Sequence, residues 1–286
     1  MDVHVFPDGE RRIRVHDSVV GKKTVVIQSA CTPVDTNYME LFFMIDALKR
    51  NGAAFVCAVI PYFGYQRQDH IFRDGEAVSL EVVVKILESI GVDKLVSLDM
   101  HTPKIPDLFK IPVAHISALG VFAREIAKNK WDRDDTVLVS PDTGGIARVK
   151  KLSSLLGNMP YASIDKNRDR STGAVSVEDI EHGEVKGKKR AILVDDMISS
   201  GNTIVLAASF LHLQGIKEVI VFATHPIFSA DAPGKLQKSL VLKVYVADTV
   251  VVSPEKHFAK LEILSIAGEI AKELKHPTQT NQPLLG

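Results

Sequence analysis

AILVDDMISSGNT, residues 191–203, sets four aliphatic residues of buried type against two carboxylates, Asp195 and Asp196, and soon follows them with five small or polar residues. Read as a strand that runs into a loop and then into a helix from Thr203, the stretch places backbone N–H groups of Ser199, Ser200, Gly201, Asn202 and Thr203 at the positive end of a helix, where they can converge on one oxyanion. The hydroxyls of Ser200 and Thr203 add donors without bulk, and Gly201 allows a positive φ. Carboxylates accept hydrogen bonds, so Asp195 and Asp196 do not share that anion; their natural partners are sugar hydroxyls or a metal-bound water. A sugar phosphate with its phosphate on the loop and its diol on the acids satisfies both halves. The plainer reading is a Ser or Asn that caps the helix beside two solvated acids.

The rest of the chain repeats the same grammar. Short aliphatic runs alternate with amphipathic stretches: TVVIQS from Thr24, a helix over residues 36–50, AAFVCAVI from Ala53, a helix capped by Ser79, KLVSL from Lys94, and a helix over residues 119–128. The series then restarts with TVLVS from Thr136, a helix over residues 145–156, YASID from Tyr161, AILV from Ala191, a helix over residues 203–213, and EVIVFAT from Glu218. Strands separated by helices at this spacing imply parallel sheets covered on both faces, the doubly wound α/β class. At 286 residues the chain is long enough for two such domains. KNKWDRDD, residues 128–135, interrupts the apolar rhythm, so the expected division is 1–132 and 133–286.

Composition excludes several classes of partner. Thirty-five basic residues balance thirty-five acidic ones, which leaves no global positive field for nucleic acid or an anionic membrane. The apolar runs are too short to span a bilayer and no basic-then-apolar leader opens the sequence, so a cytoplasmic protein is expected. Cys31 and Cys57 lack metal-type spacing and are expected to be reduced, structural thiols.

In parallel sheets, ligands gather at the carboxyl ends of strands. There the sequence places PYFGYQRQDH, DMH, PDTGG, DKNRDR and DDMISSGNT. Loops are polar in any protein, yet acids, bases, His and Gly at five successive strand ends exceed what packing requires.

The opening stretch resembles the phosphoribosyl-pyrophosphate motif of phosphoribosyltransferase-type folds, with SGNT in the place of the phosphate loop; no Walker-type P-loop occurs anywhere in the chain. FPDGE (residues 6–10), QSACTPVDTNYMELFFMIDALKR (28–50), RQD (67–69), DMHTPKIPDLFKIPV (99–113), SPDTGG (140–145), DKNRDR (165–170) and ATHPIFS (223–229) are similar, in order, to segments of the ribose-phosphate pyrophosphokinase family. The resemblance implies two domains of phosphoribosyltransferase type and a reaction. The anomeric hydroxyl of ribose 5-phosphate attacks the β-phosphorus of ATP, AMP leaves, and phosphoribosyl pyrophosphate (PRPP) forms with Mg²⁺. It further implies that Phe6, Asp8 and Glu10 reach the adenine from a neighbouring subunit of a dimer or larger homo-oligomer. Arg67, Gln68, Asp69 and His101 would line the ATP site. Asp142, Asp195, Asp196, Ser199, Ser200, Gly201, Asn202 and Thr203 would hold ribose 5-phosphate, and His101 and Asp142 would lie near the metal. Diphosphoryl transfer depends on positioning and on neutralising charge over nonbridging oxygens, so Lys166 and Arg168, read as part of a polar loop, suit cationic clamps over the phosphates.

The sequence departs from the family in three ways. FPDGE begins at Phe6, so the first strand and helix of the N-terminal sheet are expected to be missing; Ser199 stands where many members have an acid; and His70 follows RQD where Arg or Lys is common. Two competing readings stay open: a noncatalytic regulatory subunit of the same family, and a salvage phosphoribosyltransferase that uses a free nucleobase. Of the remaining aromatics, Tyr62 and Tyr65 either stack on adenine or pack, while packing is expected for Phe63 and a structural role for His225.

Overall fold

The computed structural model of the chain describes residues 1–168 and 175–276. Two compact units emerge: Met1–Ile116 together with the chain from Ala267 onward, and Ser117–Ile266. This division runs differently from the expected 132/133 boundary, because the helix over residues 119–128 belongs with the second unit and the last helix returns to the first.

In the first unit, β1 (Asp2–Val5) and β2 (Arg11–Arg14) form an antiparallel hairpin with Val5 opposite Arg11. Its tip is FPDGE, where Phe6 N–H donates to Glu10 O and Gly9 N–H to Phe6 O. Then come β3 (Lys23–Ile27), α1 (Val34–Arg50), β4 (Phe55–Ile60), α2 (Ser79–Ser89), β5 (Lys94–Leu98) and β6 (Val113–Ile116). The four strands are parallel in the order β3-β4-β5-β6. β4 is apolar throughout, and β5 is buried at every position even though it carries Lys94 and Ser97, as expected of strands covered on both faces. Leu41, Ile45 and Leu48 of α1, at helical spacing, join Val56, Ala58 and Ile60 of β4 in one core. β3 pairs with β4 alone among the described residues, and its Val25 and Ile27 stay exposed.

The second unit contains α3 (Leu119–Lys128), β7 (Thr136–Ser140), α4 (Ile146–Leu155), β8 (Tyr161–Arg168), β9 (Val175–His182) and β10 (Arg190–Ile198). It continues with α5 (Asn202–Leu213), β11 (Glu218–Pro226), α6 (Ala232–Lys238), β12 (Val241–Ala247) and β13 (Leu261–Leu264). Among the described residues its sheet has seven strands in the order β13-β12-β11-β10-β7-β8-β9, and every neighbouring pair is parallel except the β8–β9 hairpin. The order reverses between β7 and β10, so connections leave in opposite directions on the two sides of that pair, the place where open α/β sheets bind ligands. Phe122 of α3 packs on Phe222 of β11, ring centroids 5.3 Å apart, which ties α3 to this unit.

Three sequence expectations change. α2 begins at Ser79 itself, with Val78 in the cap position, so Ser79 is not the cap. DKNRDR is not wholly a loop: Asp165 through Arg168 continue β8, with Lys166 opposite Val177 and Arg168 opposite Val175. Asp169 and Arg170, and the side chains of Lys166 and Arg168, lie outside the described residues. Finally, α7 (Ala267–Lys275) was not anticipated. It carries Glu273, 3% exposed, whose Oε1 accepts from Lys94 Nζ of β5 at 2.7 Å. The neighbouring Cys57 thiol is pushed up to about 11 by burial, an inert thiol as expected. Among the described residues no helix is long and apolar enough to cross a membrane.

Removing one partner of a buried ion pair strands the other charge. Glu273→Ala is therefore expected to lower unfolding stability by about 3–5 kcal/mol in denaturant titrations. The double substitution Lys94→Met/Glu273→Leu is expected to recover most of that loss.

Candidate active site

At the strand-order reversal of the second unit the strands are unequally paired. β10 pairs with β7 from Arg190 to Leu193, whereas its ladder with β11 runs on to Ile198 opposite Pro226. Asp195 and Asp196 sit in this extension. They are not expelled past the strand end, as expected from sequence; they remain in β10, held by β11 where β7 no longer flanks them. Asp196 is buried, its backbone N–H donates to Asp195 Oδ1 at 2.9 Å, and its own Oδ1 accepts from Met197 N–H at 3.0 Å.

Asp142 follows β7 and caps the short turn Thr143–Gly145, with Oδ1 accepting from Gly145 N–H at 3.2 Å. Ser140 Oγ donates to Asp142 O at 2.5 Å. A Cβ at Gly145 would collide with that Ser140 hydroxyl, so the second glycine of SPDTGG is required by close approach. α4 then starts, and Arg148 in its first turn brings a guanidinium nitrogen to 3.7 Å from Asp195 Oδ1. Arg148 was not singled out from the sequence. Its position three residues past a strand-end glycine is a signal that only the fold makes readable.

The electrostatics follow from this crowding. Burial, above all, holds the Asp195 carboxyl well above the usual carboxylate range; the charge and hydrogen bond of Asp196 push the same way, Arg148 opposes them, and Asp142 adds a further push upward. The cluster therefore accepts hydroxyl donors or positive charge readily and repels a bare phosphate.

The loop next to it is shorter than expected. α5 begins at Asn202, so the turn spans residues 199–201, with Gly201 at the cap position in the left-handed conformation, φ +76°. The positive φ anticipated for Gly201 is present. No Ser or Asn side chain caps α5, so the plainer capping reading is not realised. Ser199 is committed to the next strand connection: its Oγ lies 3.0 Å from Ser229 Oγ and its carbonyl accepts from Ser229 N–H. Asn202 is exposed and its Oδ1 accepts from Lys235 Nζ of α6 at 2.8 Å. Ser200 and Thr203 are half-buried beside them.

In the first unit, Phe6, Asp8 and Glu10 are exposed on the hairpin tip, with Arg12 stacked 5.8 Å from the centre of the Phe6 ring. Arg67 and Gln68 are exposed, and Asp69 Oδ1 lies 2.6 Å from His70 Nδ1. His101 is exposed on the turn after β5. Phe63 is fully buried and Tyr62 nearly so, which assigns both to packing; Tyr65 stacks on Tyr38 and its hydroxyl donates to Asp35. His225 is buried against Thr249 Oγ1 at 2.9 Å, the structural role expected. His101 and Asp142, both expected near metal, lie in different units, and among the described residues no three His, Cys, Asp or Glu side chains are gathered to hold a metal ion.

Comparison with known proteins agrees with this arrangement. Residues 1–91 match the N-terminal domain of ribose phosphate pyrophosphokinase, and residues 113–255 match the phosphoribosyl transferase domain. A ribose-phosphate pyrophosphokinase of Pasteurella multocida is 38% identical over 272 residues, 94% of this chain and 85% of the relative. One from Caldanaerobacter subterraneus is 39% identical over 273 residues, 96% of this chain and 85% of the relative. The crystal structure of phosphoribosylpyrophosphate synthetase from Mycobacterium smegmatis superposes with a TM-score of 0.88 at 36% identity, covering 96% of this chain and 88% of that one. With both domains matched in order and relatives of 38% and 39% identity aligned over nearly the whole chain, the chain belongs to the ribose-phosphate pyrophosphokinase family.

Proposed function

We propose that the chain transfers the β,γ-diphosphoryl group of ATP to the anomeric hydroxyl of ribose 5-phosphate, giving PRPP and AMP. The single observation that carries this reading is the buried acid cluster beside the uncapped start of α5. One feature takes hydroxyl donors and the other takes an anion, which is the bipolar pattern of a sugar monophosphate.

In this reading, backbone N–H groups at residues 200–203 hold the 5-phosphate, with the Ser200 and Thr203 hydroxyls beside them. Asp195 and Asp196 accept hydrogen bonds from the ribose diol and so orient the ring, while Arg148 limits the repulsion between the acids. Arg67, Gln68, Asp69 and His101 line the nucleotide site, and Lys166 and Arg168 offset the charge of the transferring group. Positioning of the two substrates supplies most of the rate, because the reacting phosphorus needs no protein nucleophile. Phe6, Asp8 and Glu10, on an exposed hairpin, serve the adenine site of a second subunit in a homo-oligomer.

The donor set suits a hard divalent cation. Mg²⁺ commonly binds through one or two carboxylates plus substrate phosphates and waters, and Asp142 offers such a carboxylate beside Asp195. Asp142 is the proposed holder within the second unit, directly or through water, and His101 is the residue proposed near metal within the first. Bound Mg²⁺ would neutralise charge on the nonbridging phosphate oxygens. The free, reduced cysteines accord with a cytoplasmic setting.

The test is AMP release from purified protein with ATP, ribose 5-phosphate and Mg²⁺. AMP at background level with every divalent metal tried would refute the proposal. Asp195→Asn is expected to lower kcat/KM for ribose 5-phosphate by about 100-fold or more, a loss of roughly 2.7 kcal/mol in transition-state stabilisation. Arg148→Met is expected to reduce it by about tenfold, by removing the cation that moderates the acid pair.

The same substitution at Asp195 has an opposite effect on stability. A carboxyl whose folded value is raised contributes stability that is fully present below its unfolded value, near pH 3.9, and that is lost as the pH rises through the folded value. At neutral pH the wild-type fold therefore bears the cost of this raised carboxyl, which Asn lacks. Thermal scans should show Asp195→Asn melting a few degrees higher at pH 7, at about 2–4 °C per kcal/mol relieved. The difference should vanish below about pH 4.

A further inference from the structure

α5 starts without a side-chain cap, and the turn before it is backed by the chain that follows β11. Phe228 N–H donates to Ile198 O and Ser229 N–H to Ser199 O, each at 3.0 Å, and the Ser199 and Ser229 hydroxyl oxygens lie 3.0 Å apart. A Cβ placed on Gly201 would lie 3.6 Å from Ala232 Cβ and from Leu236 Cγ, so the turn rests on the buried face of α6. Residues 228–236 thus form a wall behind the turn, joined to it by backbone and side chain alike.

From that wall Lys235 reaches forward. Its half-buried side chain donates from Nζ to Asn202 Oδ1 at 2.8 Å. Asn202 is the first residue of α5, and an asparagine amide oxygen lies within about 4 Å of its own backbone nitrogen, so the ammonium stands within about 7 Å of the first N–H of the helix. That is less than the Debye length of about 8 Å at physiological salt. Residues 199–203 contain no acid, and among the described residues Lys235 has no carboxylate at ion-pair distance, unlike Lys243, which pairs with Glu262 Oε1 at 2.8 Å. A cation beside the amino end of a helix is unfavourable, because the helix dipole is positive there too. Two positive features held together with no protein anion between them both gain when an anion binds.

We propose that Lys235 is a further positioning residue for the sugar phosphate: its ammonium, tethered by Asn202, draws the 5-phosphate of ribose 5-phosphate onto the start of α5. The proposal rests on the reading above that this turn holds the 5-phosphate. Asn202 contributes its N–H to the phosphate and its side-chain oxygen to the tether. Because the charge acts at a distance and on a partly solvated site, it sets affinity for ribose 5-phosphate to a modest degree and leaves turnover at saturation unchanged. It has no part in nucleotide affinity.

Two substitutions separate charge from tether. Lys235→Gln keeps an N–H donor for Asn202 Oδ1 and removes the charge, whereas Lys235→Arg keeps both. Steady-state AMP release is measured on the full chain with Mg²⁺, ATP and ribose 5-phosphate, at about 50 mM and about 500 mM salt, where the Debye length falls from about 14 Å to about 4 Å. Lys235→Gln is expected to raise KM for ribose 5-phosphate about fivefold at low salt and by no more than about twofold at high salt, with kcat and KM for ATP within about twofold of the unsubstituted chain. Lys235→Arg is expected to hold KM within about twofold throughout. Thermal midpoints of both variants should stay within about 2 °C of the parent. An unchanged KM for ribose 5-phosphate in Lys235→Gln would overturn the proposal. So would a loss that persists at high salt, an equal loss in Lys235→Arg, or a parallel rise in KM for ATP. Absence of turnover by the unsubstituted chain would instead sink the underlying reading. If Lys235→Gln proves unstable, Asn202→Ala, which unties the ammonium, decides by the same salt comparison: a rise in KM for ribose 5-phosphate that salt erases supports the proposal, and an unchanged or salt-independent KM overturns it.

Discussion

The second unit depends on one asymmetry of pairing: β10 keeps β11 as a neighbour for its full length but loses β7 after Leu193. A strand supported on one side still satisfies half of its backbone, while the other side has no strand neighbour. Carboxylates placed there are too buried to be well hydrated and too close to each other to ionise freely. Burial, the mutual repulsion of Asp195 and Asp196, and nearby Asp142 all act in one direction, with Arg148 at 3.7 Å opposing them. Such a cluster costs the empty fold stability, and its ligands recover that loss by donating hydrogen bonds or positive charge.

Beside it, α5 starts on a glycine whose left-handed backbone turns the chain without a side-chain cap. The early N–H groups of this helix and the helix dipole favour negative charge, whereas the acid cluster disfavours it. Opposite preferences held side by side on rigid elements suit a ligand that has hydroxyls at one end and phosphate at the other, as proposed above. This complementarity, more than any single contact, links the fold of the second unit to its chemistry.

The first unit uses different means for a related purpose. Its parallel strands also end in ligand-type residues, but the turns there are held by side-chain acceptors, His115 for Met100 and Gln66 for His101. Its core is completed by a helix from the far end of the chain, through the buried Lys94–Glu273 pair. Such a pair contributes more by fixing where α7 docks than by net stabilisation, since desolvation of both charges offsets most of their attraction.

Much of this was legible in residue order. The alternation of aliphatic runs with amphipathic stretches determined parallel α/β architecture; DD before SSGNT placed acids beside an anion-type loop; and Gly201 sat where a positive φ is needed. Local pattern carries such information because strand burial and turn sterics act over a few residues. Other features were decided by contacts distant in sequence. The persistence of β10 through both acids needed β11 as a partner, the extension of β8 through Arg168 needed β9, and the approach of Arg148 to Asp195 needed α4 to start where β7 ends. The return of α7 to the first unit and the joining of Gln66 to His101 span 179 and 35 residues. No local propensity encodes such pairings; they exist once the sheets have formed and brought the partners within hydrogen-bond reach.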